Sequence, residues 1–214
     1  MIAVVDYHKG NLMSVERGLE AAGAEAVITD DPAAIAQADA VVLPGVGAFA
    51  DAMATMNELG QADAVREAIT AGKPFLGICL GMHLLFDGGT ESADGTLVKG
   101  LGVIPGTVER MPREDATGKA NKIPHVGWNT VDPVDGSAFD DSLFAGIEPG
   151  EHFYFTHSFI APESDATIAT TTHSVMFPCA VRCGERAYGV QFHPEKSSDT
   201  GQRLLRNFVE LTRE

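Results

Sequence analysis

Two short stretches of this 214-residue chain carry the side chains best suited to chemistry. The first is "GICLG", Gly77 to Gly81, where Cys79 stands with a glycine two residues away on either side. The apolar run "KPFLGI" before it reads as a strand, and "LGMHLLF" after it opens a helix. A nucleophile at such a strand-to-helix turn projects from the carboxyl edge of a sheet, and flanking glycines remove the side chains that would collide there. The amides of the new helix favour the thiolate, the reactive form of cysteine. The Leu80 amide is also placed to stabilise an oxyanion. The second stretch is "GVQFHPEKSS". His193 and Glu195 are two apart, so in extended chain they point to one side, and Pro194 ends the strand. A thiolate nucleophile needs a base and a group that orients it, and these two residues supply both. A lone cysteine is more often an inert buried residue, and H-x-E alone is a weak signal. Together they favour a Cys79–His193–Glu195 triad.

A third stretch, "VVLPGVGAFA", imitates the dinucleotide fingerprint G-x-G-x-x-A from Gly45 to Ala50. It follows the third strand-like segment rather than the first. The acid about 20 residues on, Glu67, falls in a predicted helix rather than at a strand end. A glycine turn beside the cysteine strand instead suits backbone amides that approach an oxyanion or a substrate. His152, His157 and His173 have no helix-face spacing and no acid-rich companion, so no metal site is expected. Cys179 and Cys183 share a face if their strand is regular; C-x3-C without a second pair is poor support for zinc, and both read as structural.

The elements that must hold these residues alternate through the first 90 positions. "IAVVD" reads as a buried strand, and Asn11 caps a helix with Leu12, Val15, Leu19 and Ala22 on its apolar face. "AEAVIT" and "DAVVLP" are further strands, and two short helices split by Gly60 follow. This βαβ rhythm predicts an α/β fold, a three-layer, mostly parallel sheet with helices on both faces. From about Val98 to Gly189 the texture becomes β-branched and turn-rich, which predicts added antiparallel strands joined to the first sheet. A last helix after Thr200 buries Leu204, Leu205, Phe208, Val209 and Leu211. One domain spanning 1–214 is expected, without repeats or linkers.

Thirty acids against 15 Lys plus Arg give a formal charge of −15, which repels phosphate backbones and argues against nucleic acid as a partner. No apolar run approaches the roughly 18 residues of a membrane span, and no signal peptide is evident. Three cysteines do not make a disulfide framework, so a reducing, cytoplasmic location is expected.

With these residues in view, the chain resembles the class I (triad) glutamine amidotransferases. More narrowly it is similar to the glutaminase subunits of imidazole glycerol phosphate synthases, in histidine biosynthesis. The likeness spans "DYHKGNLMSV", "LPGVGAF", "GICLGMHLLF", "IPHVGWN", "YFTHSF" and "GVQFHPEKS". The elbow and "FHPE" belong to the wider class, whereas "GNLMSV" with "PHVGWN" is specific to that subunit. The resemblance implies a flavodoxin-like fold in which Cys79 attacks the side-chain amide of L-glutamine, giving a γ-glutamyl thioester and ammonia. His193 moves the protons and Glu195 orients it. Val46 and Leu80 amides serve as oxyanion donors, with a peptide flip in the glycine loop. Gly47, His83, Ser158 and Phe159 match substrate-holding positions, and Asn11, Trp128 and Tyr154 match positions facing a partner. That partner is a separate (β/α)8-barrel cyclase subunit that uses the ammonia to form imidazole glycerol phosphate and AICAR from PRFAR. No cofactor is implied. One departure stands out: the class usually has glutamine four residues after the nucleophile, and here that residue is His83. Alternatives are the glutaminase subunit of another synthase, such as that of pyridoxal phosphate, a non-catalytic subunit, or a stand-alone cysteine hydrolase. "PHVGWN" weighs against the first, and the complete triad against the second.

Overall fold

The computed structural model describes residues 1–134, 136, 138–139 and 141–213. In chain order the elements are β1 (Ile2–Val5), α1 (Leu12–Ala21), β2 (Ala26–Thr29), α2 (Pro32–Gln37), β3 (Ala40–Gly45), α3 (Phe49–Glu58), α4 (Gln61–Thr70), β4 (Phe75–Cys79), α5 (Leu80–His83), β5 (Phe86–Gly89), β6 (Val98–Lys99), β7 (Ile104–Arg110), β8 (His125–Pro133), β9 (Glu151–His157), β10 (Phe159–Ile160), β11 (Thr167–Thr172), β12 (Met176–Cys183), β13 (Ala187–Val190) and α6 (Ser198–Leu211).

The main sheet has nine strands in the order β2-β1-β3-β4-β13-β12-β11-β8-β9. The run from β2 to β13 is parallel, and β12, β11, β8 and β9 continue it antiparallel. β1, β3 and β4 are buried along their whole length, which is why they read as unbroken apolar runs rather than alternating ones. On one face α1 and α6 pack Val15, Leu19, Leu204, Leu205 and Phe208 against Val4, Val42, Leu76 and Ile78. On the other, α2, α3 and α4 pack Ile35, Met53, Met56 and Val65 against Val5, Val41, Leu43 and Phe75. The three-layer α/β expectation holds.

Several local expectations are corrected. The helix opened by "LGMHLLF" lasts one turn: α5 ends at His83, and Phe86 already begins β5. Leu84 and Leu85 are fully buried, so their helix-like spacing reflects burial on both sides of a crossing chain. β5, β6, β7 and β10 do not join the main sheet but form a second one in the order β10-β7-β5-β6. "GVIPGTVERM" therefore supplies β7 of that smaller sheet. Between β2 and β3 lies α2, which starts at Pro32 and is capped by Asp31, whose side chain accepts the Ala33 N–H at 2.9 Å. Asn11 occupies the cap position of α1, but its side chain makes no capping bond.

Cys179 and Cys183 do not share a face. The β11–β12 register passes from Thr170↔Pro178 to Ala169↔Ala180, one step on β11 against two on β12. That bulge at Cys179 reverses the alternation. Cys179 joins the core under α1 and α6, whereas Cys183 packs against the core on the opposite face.

Candidate active site

Cys79 ends β4 with φ 55° and ψ −107°, a strained conformation for a residue with a Cβ. The close packing around it explains the glycines. A Cβ at Gly77 would stand 2.5 Å from the Gly81 carbonyl oxygen, and one at Gly81 would run into the Leu43 carbonyl oxygen of β3. A Cβ at Gly45 would meet the Tyr7 hydroxyl at 2.5 Å and Leu80 Cβ at 2.7 Å. The turn is thus pressed against the end of β3, and the Cys79 side chain has one available direction, towards the carboxyl edge of the sheet. Because α5 is a single turn, it contributes local amides rather than a long macrodipole.

β13 lies beside β4, with Val190 opposite Ile78, so the residues after Val190 arrive next to Cys79. His193 and Glu195 do meet, but not along an extended strand. The chain leaves β13 at Val190 and bends through a 3-10 turn at Pro194–Lys196. There the imidazole Nδ1 lies 2.8 Å from Glu195 Oε1, with both side chains almost fully buried. The carboxylate fixes the Nδ1–H tautomer, which leaves Nε2 for Cys79. Nε2 is buried and makes no hydrogen bond of ordinary geometry among the described residues. Burial opposes charge on the His193 ring, but hydrogen bonding and charge from Cys79 and Glu195 outweigh it and raise its pKa to about 9. At neutral pH this ring is therefore held as imidazolium beside the sulfur. Backbone anchors complete the pair: the His193 N–H donates to the Tyr154 carbonyl at 2.9 Å, and Ser197 Oγ donates to the His193 carbonyl at 2.6 Å.

A cavity of about 350 Å3 opens over the cysteine, lined among others by Val46, Gly47, Cys79, Leu80, His83, Ser158 and Phe159. All the residues expected to bind substrate or to stabilise an oxyanion thus surround one space. Three groups around the cavity and the sulfur were not legible in the sequence. Glu91 reaches the cavity wall and accepts the Phe49 N–H through Oε2 at 3.3 Å. Burial raises its pKa, against the Phe49 hydrogen bond and the charge of Arg110. Tyr7 lies buried beneath Gly45, and burial followed by the nearby Cys79 charge pushes its pKa well up. The Val46 N–H approaches the Tyr7 hydroxyl and opposes that shift, without completing a hydrogen bond of ordinary geometry. Gln191, fully buried, donates its Nε2–H to Cys79 Sγ at 3.7 Å. His83 lies 2.6 Å from the other end of that carboxamide, Nε2 to Oε1. Burial lowers the His83 pKa to about 4 against the raising effect of that bond, so the ring is neutral.

Trp128 and Tyr154 face each other across β8 and β9, ring centroids 6.1 Å apart and edge-on. Trp128 is 51 % exposed, so the single tryptophan is a surface residue rather than part of the core. Asn11 is half-buried at the start of α1, and among the described residues no hydrogen bond or ring contact joins it to that pair. Of the other histidines, His157 lies 3.1 Å from His125 and His173 stacks on His125 at 4.2 Å. Among the described residues no three His, Cys, Asp or Glu side chains converge as a metal cluster, and no helix is long and apolar enough to cross a membrane.

The family model described as glutamine amidotransferase class-I matches residues 3–211. Among curated relatives, one from Moorella thermoacetica named imidazole glycerol phosphate synthase subunit HisH is 46 % identical over 215 residues, covering 99 % of this chain and 95 % of that one. Relatives of the same name from Syntrophotalea carbinolica and Methanothermobacter thermautotrophicus are 43 % and 44 % identical, covering 99 % and all of this chain and each whole relative. Among solved structures, one described as a glutamine amidotransferase superposes with a TM-score of 0.72 at 21 % identity over the whole of both chains. The PurLQS structure from Thermotoga maritima gives 0.70 at 18 % identity, covering 98 % of this chain and 97 % of that one. Both structural likenesses bear on the fold.

Proposed function

This chain belongs to the class I glutamine amidotransferase family, and from that premise we propose that it is the glutaminase subunit of an imidazole glycerol phosphate synthase. The observation that carries the chemistry is the buried Glu195–His193 pair, with a free Nε2 and a raised imidazole pKa, beside Cys79 on the neighbouring strand. In this reading the Cys79 thiolate attacks the γ-carboxamide carbon of L-glutamine. The Leu80 N–H, and the Val46 N–H once its peptide turns from Tyr7 into the cavity, receive the oxyanion. His193 Nε2–H then protonates the leaving nitrogen, and ammonia departs from a γ-glutamyl thioester. Neutral His193 next takes a proton from water, the hydroxide opens the thioester, and sulfur leaves as thiolate. The new carboxyl group of glutamate yields its proton to solvent. Gly47, His83, Ser158 and Phe159 form the walls against which glutamine is held, and Glu91 offers a carboxylate to its α-ammonium group.

Ammonia released here needs an acceptor site, and we assign this to a separate cyclase subunit docking on the surface of Asn11, Trp128 and Tyr154. The relatives' shared name supports that partner. One domain over 1–214 and a cytoplasmic setting complete the reading. The test is glutamine hydrolysis by the chain with and without the cyclase and the cyclase's nucleotide ligand. Strong hydrolysis only with both present is the expected result. Robust peptidase activity of the chain alone refutes it.

A further inference from the structure

We propose that His83 is a positioning residue for the nucleophile and works through Gln191, pinning that carboxamide with its oxygen towards His83 and its N–H towards the Cys79 sulfur. For its kinetics the proposal rests on the glutaminase reading. Its geometry does not depend on it.

Two separate elements bring these groups onto one atom. The parallel register Val190↔Ile78 places Gln191, the next residue, alongside Cys79. α5 returns His83, four residues after Cys79, to the same side one helical turn later. Gln191 is entirely shielded from solvent and His83 is 3 % exposed, so water cannot substitute for either bond. A carboxamide has one accepting end and one donating end. The 2.6 Å approach of His83 Nε2 to Gln191 Oε1 requires a proton on Nε2, because oxygen only accepts. A neutral imidazole meets this with a single tautomer, leaving Nδ1 as an acceptor. With Oε1 committed to the ring, the Nε2–H group of Gln191 is left for the sulfur, 3.7 Å away. Turning the amide over would set its oxygen against the thiolate, and the ring would have to carry its proton on Nδ1 to accept from the amide nitrogen. The negative sulfur therefore selects one orientation, the ring holds the far end of the amide in it through Nε2–H, and a donor faces the sulfur whenever it carries charge. No proton moves along this chain. Its effect is electrostatic, supporting the charge on sulfur before attack and when the thioester breaks. This gives the unusual histidine a function distinct from that of a wall of the cavity.

The experiment uses the full chain in complex with its cyclase and four variants: His83→Leu, Gln191→Met, the double variant and His83→Gln. The readouts are kcat and KM for glutamine, and the pH profile of iodoacetamide alkylation at Cys79, read by peptide mass spectrometry. His83→Leu and Gln191→Met should each lower kcat about tenfold, with KM changed less than about twofold. Each should move the alkylation midpoint upward by about one pH unit. The double variant should be no worse than the poorer single one, because both break the same chain of bonds. His83→Gln keeps a donor at this position and should recover most of the loss seen in His83→Leu. Should His83→Leu lose its fold, His83→Phe keeps the bulk without the donor and takes its place. A raised KM with kcat intact, an unmoved alkylation profile or multiplicative losses in the double variant would each overturn the proposal. If the wild-type complex does not hydrolyse glutamine, the glutaminase reading fails, and the alkylation profiles alone decide on His83.

Discussion

The Tyr154 carbonyl oxygen accepts the His193 backbone N–H at 2.9 Å, so the residue whose ring meets the exposed Trp128 edge-on also holds the proposed base. Two residues along β9, the Thr156 carbonyl lies 3.9 Å from Cys79 Sγ, where it can accept only from the protonated thiol. One strand thus touches the surface pair and both reacting groups. Trp128→Ala is expected to leave thermal unfolding of the isolated chain nearly unchanged, since the ring is half-exposed. It should weaken cyclase binding about tenfold or more and reduce ammonia transfer, as measured by titration calorimetry and coupled turnover. Unchanged affinity and transfer would remove Trp128 from the docking surface.

The pKa of His193 depends on its neighbours. In Cys79→Ala the desolvation of the ring persists and the Glu195 bond remains, while the sulfur's hydrogen bonding and charge are lost. The imidazole should then titrate at least about one pH unit lower, followed by NMR of a histidine-labelled sample. A titration that stays near pH 9 would assign the shift to Glu195 alone.

The Val46 amide and the Tyr7 hydroxyl hold each other loosely at the end of β3. Tyr7→Phe removes a buried hydroxyl that makes no full hydrogen bond, so stability should change by less than about 1 kcal/mol. The freed peptide should reach the oxyanion-binding orientation more often. Partner-independent glutamine hydrolysis is expected to rise about threefold or more. No rise would show that Tyr7 does not restrain this amide.

Glu91 is an acidic side chain within a cavity proposed to take a zwitterionic amino acid. Glu91→Gln should raise KM for glutamine about tenfold or more with a smaller effect on kcat. The mutant should also lose discrimination against glutaramate, which lacks the α-ammonium. Equal effects on both substrates would place Glu91 in loop support, through its bond to the Phe49 N–H.

His83 and His157 are buried and neutral, with pKa values lowered to about 4 and about 3, mainly by desolvation. Unfolded histidine titrates near 6.5, so the unfolded state binds more protons at every pH between these values. Stability is full above about pH 6.5, declines as the pH falls and levels off only below the folded pKa values. Urea unfolding should show a loss of about 2–4 kcal/mol between pH 6.5 and 5. A flat profile there would mean that these rings acquire charge in the folded state.

The proposed triad could be read because its spacing is local: glycines at ±2 around Cys79, and H-x-E within three residues. The parallel strands were legible because burial on both faces leaves unbroken apolar runs. Gln191, Glu91 and Tyr7 left no comparable signal. They come from three distant segments and come together only when β13, β5 and β1 bring them around one site. The length of α5 departs from its sequence pattern for a related reason. Leu84 and Leu85 are apolar at helical spacing, but what stops the helix is the entry of Phe86 into a second sheet, a tertiary event. The turn at Pro194 likewise replaced the extended geometry expected for His193 and Glu195, yet delivered the same hydrogen bond.

The place of β13 in the sheet has a consequence for biosynthesis. This strand separates β4 from β12 at the centre of nine, yet it comes from residues 187–190 of the chain. As the polypeptide emerges N-terminal end first, β4 and its cysteine are made more than a hundred residues before the strand that closes their open edge. During that interval the thiol has neither imidazole nor carboxamide beside it. On the proposed reading, the nascent chain therefore carries an unarmed nucleophile, and its reactivity is assembled in the same step that completes the sheet.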